Sequence, residues 1–319
     1  MSSNKNILIC GSLAYDNIMV FQDHFTNHIL PEQIHILNVS FVVPQMRKEF
    51  GGCAGNIAYN LKLLGENPLI MATVGACDSA AYFERLQTLG ISQQYIKNIP
   101  DSFTAQAFII SDLSNNQMNA FHPGAMEFAN QVQITADMNL DLAIVSPNHP
   151  GAMKQQAANL SEFEVPFIFD PGQSIPAFSG EELLDFLDIA TYSIMNDYEA
   201  KVMMEKTGYS MKRLADEVDV LIVTTGEEGS QMYLNGESKP VHIPCVKAKN
   251  ELDPTGCGDA YRAGILFALA NDLDWQTAGQ LGSVMGAIKI ASQGGQNHFK
   301  NMDEIRTIYK TAFPNGKDF

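Results

Sequence analysis

The spacing of apolar residues changes several times along the chain, and each change predicts an element. Asn6–Cys10 is a short apolar run ending at Gly11, the pattern of a buried strand. From there to about Glu49 the apolar residues Ile34, Ile36, Val39, Phe41 and Val43 stand among polar ones without helical period, bracketed by Pro31 and Pro44. That predicts β structure outside a central sheet. From Gly51 the period lengthens: Ile57, Leu61 and Leu64 share one helical face, and Gly65 is a stop. Leu69–Val74 reads as a strand. Asp78 can cap a helix that turns Phe83, Leu86 and Leu89 inward and ends at Gly90. Ala105–Ser111 and Gln117–Phe121 form a hairpin around Ser114-Asn115-Asn116, a second β-rich piece expected to join the first in a small subdomain.

After Pro123, strands and helices alternate. Leu142–Ser146, Phe167–Asp170, Ala190–Asn196 and Val220–Thr225 are strands. Helices are marked by Met153, Ala157 and Leu160, by Gly180–Leu187, and by Asp197 to about Lys206. This alternation predicts an α/β fold, a doubly wound and mostly parallel sheet with helices on both faces. The expected division is a large domain of residues 1–12, 49–102 and 125–319 and a small β subdomain of 13–48 and 103–124. Ligands of such sheets lie outside the carboxyl ends of the strands. The residues there are Gly11-Ser12, Asp170, Asn196 and Thr225-Gly226.

Composition narrows the function. The 319 residues are 45% hydrophobic, enough for a sizeable core. Twenty basic and 36 acidic residues give a net charge of −16, which argues against nucleic acid and anionic membranes as partners. Five scattered cysteines with no CxxC pair argue against a disulfide scaffold or a zinc site and fit a reducing cytosol. No apolar run approaches the roughly 18 residues of a membrane helix. The N-terminus meets Asp16 too early for a secretory signal, so a cytoplasmic location is expected. CGSLAYD stands where GxGxxG would follow the first strand, which argues against a dinucleotide-dependent oxidoreductase.

The most informative segment is Asp253-Pro254-Thr255-Gly256-Cys257-Gly258-Asp259, ahead of a helix from Ala260 to about Asn271. Small residues before a helix leave backbone N–H groups pointing at one spot, and the helix dipole adds to them. Gly256 and Gly258 let an anion approach closely. Asp259 cannot be the anion's ligand, but it can accept the proton of a hydroxyl held beside the cradle. One carboxylate and one cluster of amides suit phosphoryl transfer to an alcohol. The cradle uses neutral amides, so the −16 charge does not exclude a phosphorylated ligand. Locally, Cys245–Arg262 is neutral, with Lys247, Lys249 and Arg262 against Glu251, Asp253 and Asp259. Gly51-Gly52-Cys53-Ala54-Gly55-Asn56 is a Gly-rich helix entry where a ligand can approach backbone and Asn56. Asn196 and Glu199, three apart, suit Mg²⁺ waters and phosphate, or a capping box. Thr225-Gly226-Glu227-Glu228-Gly229 reads alone as a hairpin turn, with a phosphate cradle as the alternative.

Together these segments resemble the PfkB, ribokinase-like family of carbohydrate and nucleoside kinases. GGCAGNIAYNLKLLG (Gly51–Gly65) is similar to its N-terminal signature, DPTGCGDAYRAGIL (Asp253–Leu266) to its C-terminal one, and NDYE (Asn196–Glu199) to its N-x-x-E magnesium motif. The resemblance implies Asp259 as catalytic base with the amides of Gly256, Cys257 and Gly258 as anion hole. It implies Ser12 and Asp16, in the segment after the first strand, as substrate ligands together with Asn56 and Gly52, with Asp16 on the ribose hydroxyls. Asn196 and Glu199 would organise Mg²⁺, Glu199 through water, and Thr225, Gly226 and Gly229 would line an ATP site. Asp253, Thr255 and the Ser292–Gly295 turn would correspond to a monovalent-cation (K⁺) site. The β-rich pieces would form a lid that closes over substrate and mediates a homodimer.

Within the family, LPEQIHILNVSF (Leu30–Phe41), FHPGAM (Phe121–Met126) and DPGQ (Asp170–Gln173) look most like bacterial-type adenosine kinases. Phe108 and Phe121 then match aromatics that sandwich a nucleobase, or else belong to the lid core. Gln173 would reach the base or ribose. Arg262 would neutralise phosphate or form a surface ion pair. The expectation is ATP-dependent phosphorylation of the 5′-hydroxyl of adenosine to AMP, in purine salvage. The alternatives are a ribokinase-like sugar kinase, a kinase of inosine, guanosine or cytidine, and a nucleoside sensor without catalysis.

Overall fold

The structure is a computed structural model that describes residues 3, 5–29, 38–114, 116–235, 237 and 239–319. Ile34, Ile36, Asn115 and most of the Leu30–Phe41 segment lie outside the described residues.

In chain order the first half comprises β1 (Ile7–Cys10), β2 (Ala14–Val20), β3 (Gln45–Gly51), α1 (Cys53–Leu63), β4 (Leu69–Gly75), α2 (Ala80–Leu89), β5 (Ile96–Ile99), β6 (Ala105–Ser111) and β7 (Gln117–His122). The second half comprises β8 (Leu142–Val145), α3 (Pro150–Glu162), β9 (Phe167–Phe169), α4 (Gly180–Ile189), β10 (Tyr192–Asn196), α5 (Asp197–Thr207), α6 (Met211–Asp216), β11 (Val220–Thr224), β12 (Ser230–Leu234), β13 (Val241–Ile243), α7 (Cys257–Ala270), α8 (Trp275–Ile290) and α9 (Met302–Ala312).

Among the described residues the large sheet has nine strands in the order β13-β12-β11-β10-β9-β8-β1-β4-β5. All neighbours are parallel except β11–β12 and β12–β13. Its strands are apolar on both faces because helices cover both. Ile7 and Ile9 point into one buried cluster with α1, α7 and α8, while Leu8 and Cys10 point into another with α3, α4 and α5. The strand order reverses at β1, with β4 on one side and β8 on the other, so the carboxyl end of β1 is the switch point where a ligand crevice opens.

A second, four-stranded sheet in the order β3-β2-β6-β7 unites the two β-rich pieces, but the apolar residues Val39, Phe41 and Val43 that pointed to β structure lie in irregular chain ahead of β3. β2 leaves β1 after three residues, so this sheet hangs directly over the switch point. Asp78 does not cap α2 as expected. Its carboxylate accepts from the amide of Thr104 at 2.8 Å and from Gln106 at 2.9 Å, and ties the helix entry to β6 instead. Long-range amides outcompete the local cap because they belong to a strand edge that needs partners. Gly90 ends α2 in the left-handed conformation, φ 65°, as its position predicts. Helices α7 and α8 pack closely, since a Cβ on Gly264 would stand 2.7 Å from the Gly282 Cα. That brings the end of α8 beside the start of α7. Among the described residues no helix is long and apolar enough to cross a membrane.

Candidate active site

Two helices begin under the small sheet with no side-chain cap, α1 at Gly52 (φ 85°) and α7 at Gly256 (φ 79°). Both angles are left-handed, where a side chain is strained. At α1, Ser12 satisfies the entry: its hydroxyl accepts from the Cys53 amide at 3.2 Å and its carbonyl from the Ala54 amide at 3.0 Å. Ser12 therefore holds the turn. At α7 the expected cradle needs one change, because the Cys257 amide donates to the Pro254 carbonyl at 3.1 Å. The amides of Gly256, Gly258 and Asp259 have no acceptor among the described residues. The open donors are thus 256, 258 and 259 rather than 256 to 258. The early bond to Pro254 is what tightens the turn and aims the others outward.

Asp259 stands in the first turn of α7, half-buried beside these amides. Asn56 on α1 donates to its Oδ2 at 2.8 Å. The Asn56 carbonyl oxygen in turn accepts from Gln296 at 3.2 Å, and Gln296 also donates to the Tyr82 hydroxyl at 3.0 Å. The resemblance assigns Asn56 to ribose; its amide is oriented instead by Gln296 and spent first on positioning Asp259. Gln296 and Tyr82 are not singled out by the sequence, and Gly295 only as part of the expected cation turn, although a Cβ on Gly295 would collide with Asn56 at 2.4 Å. Burial pushes the Asp259 carboxyl up to about 6, against the opposing pull of Arg262 and the Asn56 hydrogen bond. A base with that affinity takes a hydroxyl proton near neutral pH.

Asp16 on β2 faces Asp259 from the small sheet. Burial, reinforced by the charges of Asp259, Asp253 and Glu49, pushes it up to about 6 as well. Its carboxylate lies so close to Gly51 that a Cβ there would meet Oδ2 at 2.4 Å. It has no hydrogen-bond partner among the described residues, so both oxygens can accept from a ligand's hydroxyls.

The register of the small sheet corrects the aromatic sandwich. Asp16 pairs with Ala107, and Ala107 with Phe121, so Asp16 and Phe121 share the face over the site. Phe108 pairs with Asn17 and Ala120 and lies on the opposite face. The two rings, 39% and 52% exposed, cannot clamp one base between them. Gln173 is exposed, in the turn that follows β9.

Arg262 makes neither a surface pair nor a free phosphate ligand. It is buried and grips Asp170 with two bonds of 2.5 Å. Such a fork is geometrically specific, and it sets a fixed charge beside Asp259. Asn196 and Glu199 take the capping-box alternative: the Asn196 Oδ1 accepts from the Glu199 amide at 2.7 Å, and Glu199 Oε2 accepts from the Asn196 amide at 2.8 Å. Thr225 to Gly229 is a hairpin turn between β11 and β12, closed by the Thr225 amide on the Gly229 carbonyl at 2.8 Å, with Gly226 facing open space. Gly229 is pinned against the Ile243 carbonyl and the Cys245 amide. Asp253 spends both carboxylate oxygens on backbone, the amides of Thr255 at 2.9 Å and Gly294 at 2.8 Å. Burial opposes its ionisation, but those bonds keep it below the ordinary carboxylate range.

The family model for pfkB carbohydrate kinases matches residues 15–302. The chain belongs to the PfkB family. It is a phosphotransferase with a hydroxyl acceptor and a ribokinase-like fold. A nucleoside kinase of Methanocaldococcus jannaschii is 31% identical over 274 residues, 84% of this chain and 88% of that one. The structure of Burkholderia thailandensis nucleoside kinase in complex with inosine is 46% identical, with a TM-score of 0.88 over 97% of this chain and 99% of that one. The same enzyme in complex with ADP-inosine is 47% identical, with a TM-score of 0.85 over 98% of each chain.

This PfkB kinase also has a cavity of about 890 Å³ beside the β11–β12 turn, which the sequence did not reveal. Val246, Ala248, Ala287, Ile288, Ala291 and Phe299 supply apolar walls, and Lys247, Lys249 and Lys300 stand among its lining. Its size and composition suit a flat aromatic ligand with a charged tail. The one sequence signal was the local charge neutrality of Cys245–Arg262 in an acidic chain. The walls come from the segment before α7, the end of α8, the 298–300 segment and α9, which only the fold brings together.

Proposed function

We propose that this PfkB kinase transfers the γ-phosphoryl group of ATP to the 5′-hydroxyl of a purine ribonucleoside. The observation that carries the reading is the Asp259 carboxylate standing beside three open amides at the start of α7, with the unbonded Asp16 carboxylate opposite. Asp16 accepts from the ribose hydroxyls and Phe121 covers the base. Asp259, oriented by Asn56, takes the 5′-hydroxyl proton. The amides of Gly256, Gly258 and Asp259 stabilise the charge that develops on the moving phosphoryl group. The adenine ring of ATP enters the cavity lined by Val246 and Ala287, with Gly226 and Gly229 along the phosphate path. Glu199 has a carboxylate oxygen left outside its capping box and fits a water-mediated hold on Mg²⁺, which would neutralise the phosphate oxygens. Closure of the small sheet excludes water and so suppresses ATP hydrolysis.

Adenosine follows from the sequence resemblance. Inosine is the second reading, favoured by the similar Burkholderia structures that hold it. A panel of adenosine, inosine, guanosine, cytidine and ribose, assayed for ADP release with ATP and Mg²⁺, tests both. Ribose turned over faster than every nucleoside would overturn the nucleoside assignment, and the ratio of adenosine to inosine ranks the two readings.

A homodimer through the small sheet has support on the face away from the site. Met46, Met19, Ile110 and Met118 are paired in one row across that face, with the exposed Phe108 beside them. An apolar row on an otherwise acidic protein fits a second copy of the same chain. Sedimentation of a Met46→Glu, Phe108→Glu double variant is expected to yield a monomer; an unchanged mass would rule out this face.

A further inference from the structure

Lys289 lies in the last turn of α8 and is fully buried. Its ammonium donates to the carbonyl of Asp253 at 2.8 Å and to the carbonyl of Ser292 at 3.0 Å. One carbonyl heads the turn that leads to the cradle, and the other belongs to the Ser292–Gly295 turn, whose Gly295 packs on Asn56. These are the two segments at which the family resemblance placed a free monovalent cation. The residues present do not fit that ion. Two backbone oxygens of the expected seat already bind an ammonium, and both carboxylate oxygens of Asp253 are occupied by amides.

A buried lysine is costly unless its charge does something there, and an apolar residue of similar length would fill the same space more cheaply. Burial lowers the Lys289 pKa, and the carbonyls it binds and the Asp253 charge oppose that loss. Asp253 faces it from the cradle side, with Arg47 3.7 Å from the far carboxylate oxygen. Lys289 is also among the charges felt by the Cys257 thiol in the cradle, opposing the burial that pushes that group up to about 11. The ammonium therefore ties the two turns together and places one positive charge beneath the phosphate site.

We propose that Lys289 is a tethered replacement for a free monovalent cation, a positioning residue that makes phosphoryl transfer in this enzyme independent of K⁺. The link to turnover rests on reading the turn before Asp259 as the phosphate cradle; the seat itself does not.

The test compares KCl with tetramethylammonium chloride at equal ionic strength, on the full chain. Wild-type turnover and melting temperature are expected to be the same in both salts. Lys289→Ala empties the seat. Its turnover in tetramethylammonium should fall about tenfold or more, the scale of one lost preorganised electrostatic contact, and should recover saturably with K⁺ or NH₄⁺. Without nucleotide, its melting temperature should rise with K⁺ and not with tetramethylammonium. Lys289→Met fills the volume without charge and should stay impaired in both salts. Saturable K⁺ stimulation of the wild type would overturn the proposal, and this arm decides even if Lys289→Ala does not fold. A folded Lys289→Ala that ignores K⁺ in both melting and turnover would overturn it too. K⁺-dependent melting with wild-type turnover would keep the seat and refute the cradle.

Discussion

Helices α5 and α7 both begin at positions that the sequence marks for phosphate chemistry, α5 at the end of β10 and α7 after an irregular segment that follows β13, yet their first turns are built in opposite ways. At α5, Asn196 and Glu199 exchange side-chain to backbone bonds, so the orphan amides are consumed within the turn. At α7, Gly256 has no side chain to offer, and three amides are left open around Asp259. A capped start is more stable and less able to bind. The uncapped start gives up that stabilisation and becomes the place where an anion can sit. The difference teaches that small residues mark a reactive helix entry better than polar ones do, because a polar residue can satisfy the amides itself.

The sharpest way to break the comparison is Asp259→Asn, expected to lower turnover by about 10³-fold, within the usual range for a lost general base. Its melting temperature near neutral pH should hold or rise, because an ionised carboxylate no longer has to be buried. Near-wild-type ADP release would remove Asp259 from the chemistry. Gly256→Ala comes next. Its Cβ would sit at φ 79° and within 3.4 Å of both Gly295 and Asn56, and turnover is expected to drop about 10²-fold, as for a lost oxyanion donor.

The pH profile gives a third effect. Asp259 and Asp16 both titrate near 6, so kcat/KM should fall as pH drops through 6, by about tenfold at pH 5 for one required carboxylate. Stability runs the other way. The folded carboxyls bind protons more tightly than the unfolded chain does, so this contribution is full below the ordinary carboxylate pKa and is lost as pH rises through about 6. Asp259→Asn should flatten part of that slope in melting curves.

Phe121→Ala should raise the nucleoside KM roughly threefold to tenfold, the scale of one aromatic contact, while Phe108→Ala leaves it unchanged. Equal effects would show that both rings meet the base after closure. The smallest effect belongs to the capped helix: Asn196→Ala should cost about 1 kcal/mol of stability, a shift of about 2 °C in melting, with turnover within a few-fold of wild type. A collapse of turnover comparable to that of Gly256→Ala would instead make Asn196 part of the phosphate site and erase the contrast with α7.

Much of the layout was legible because it is local. The periods around Ile57, Met153 and Leu183 depend on which face is buried, and each of these residues is fully buried in its helix. The hairpin of β6 and β7 and the existence of α7 follow from turn chemistry over a few residues, although α7 starts at Cys257, three residues before the expected Ala260. Legibility failed where a residue had two partners to choose from. Asp78 chose the β6 edge over its own helix, Arg262 chose Asp170, and Phe108 was assigned its face by a register that its own segment does not specify. Gln296 and Lys289 gave no signal at all, since each acts on a residue tens or hundreds of positions away.

By itself the sequence determined the alternation of strands and helices, the two Gly-rich helix entries and the presence of a carboxylate at the second of them. These depend on backbone freedom and on periods of a few residues, which the chain carries locally. Only the tertiary structure decided which amides stay open, which carboxylates face one another and what occupies the cation seat. Those outcomes are settled by competition between groups far apart in the chain. In a buried site the winner is the pairing that leaves the fewest charges and amides without a partner.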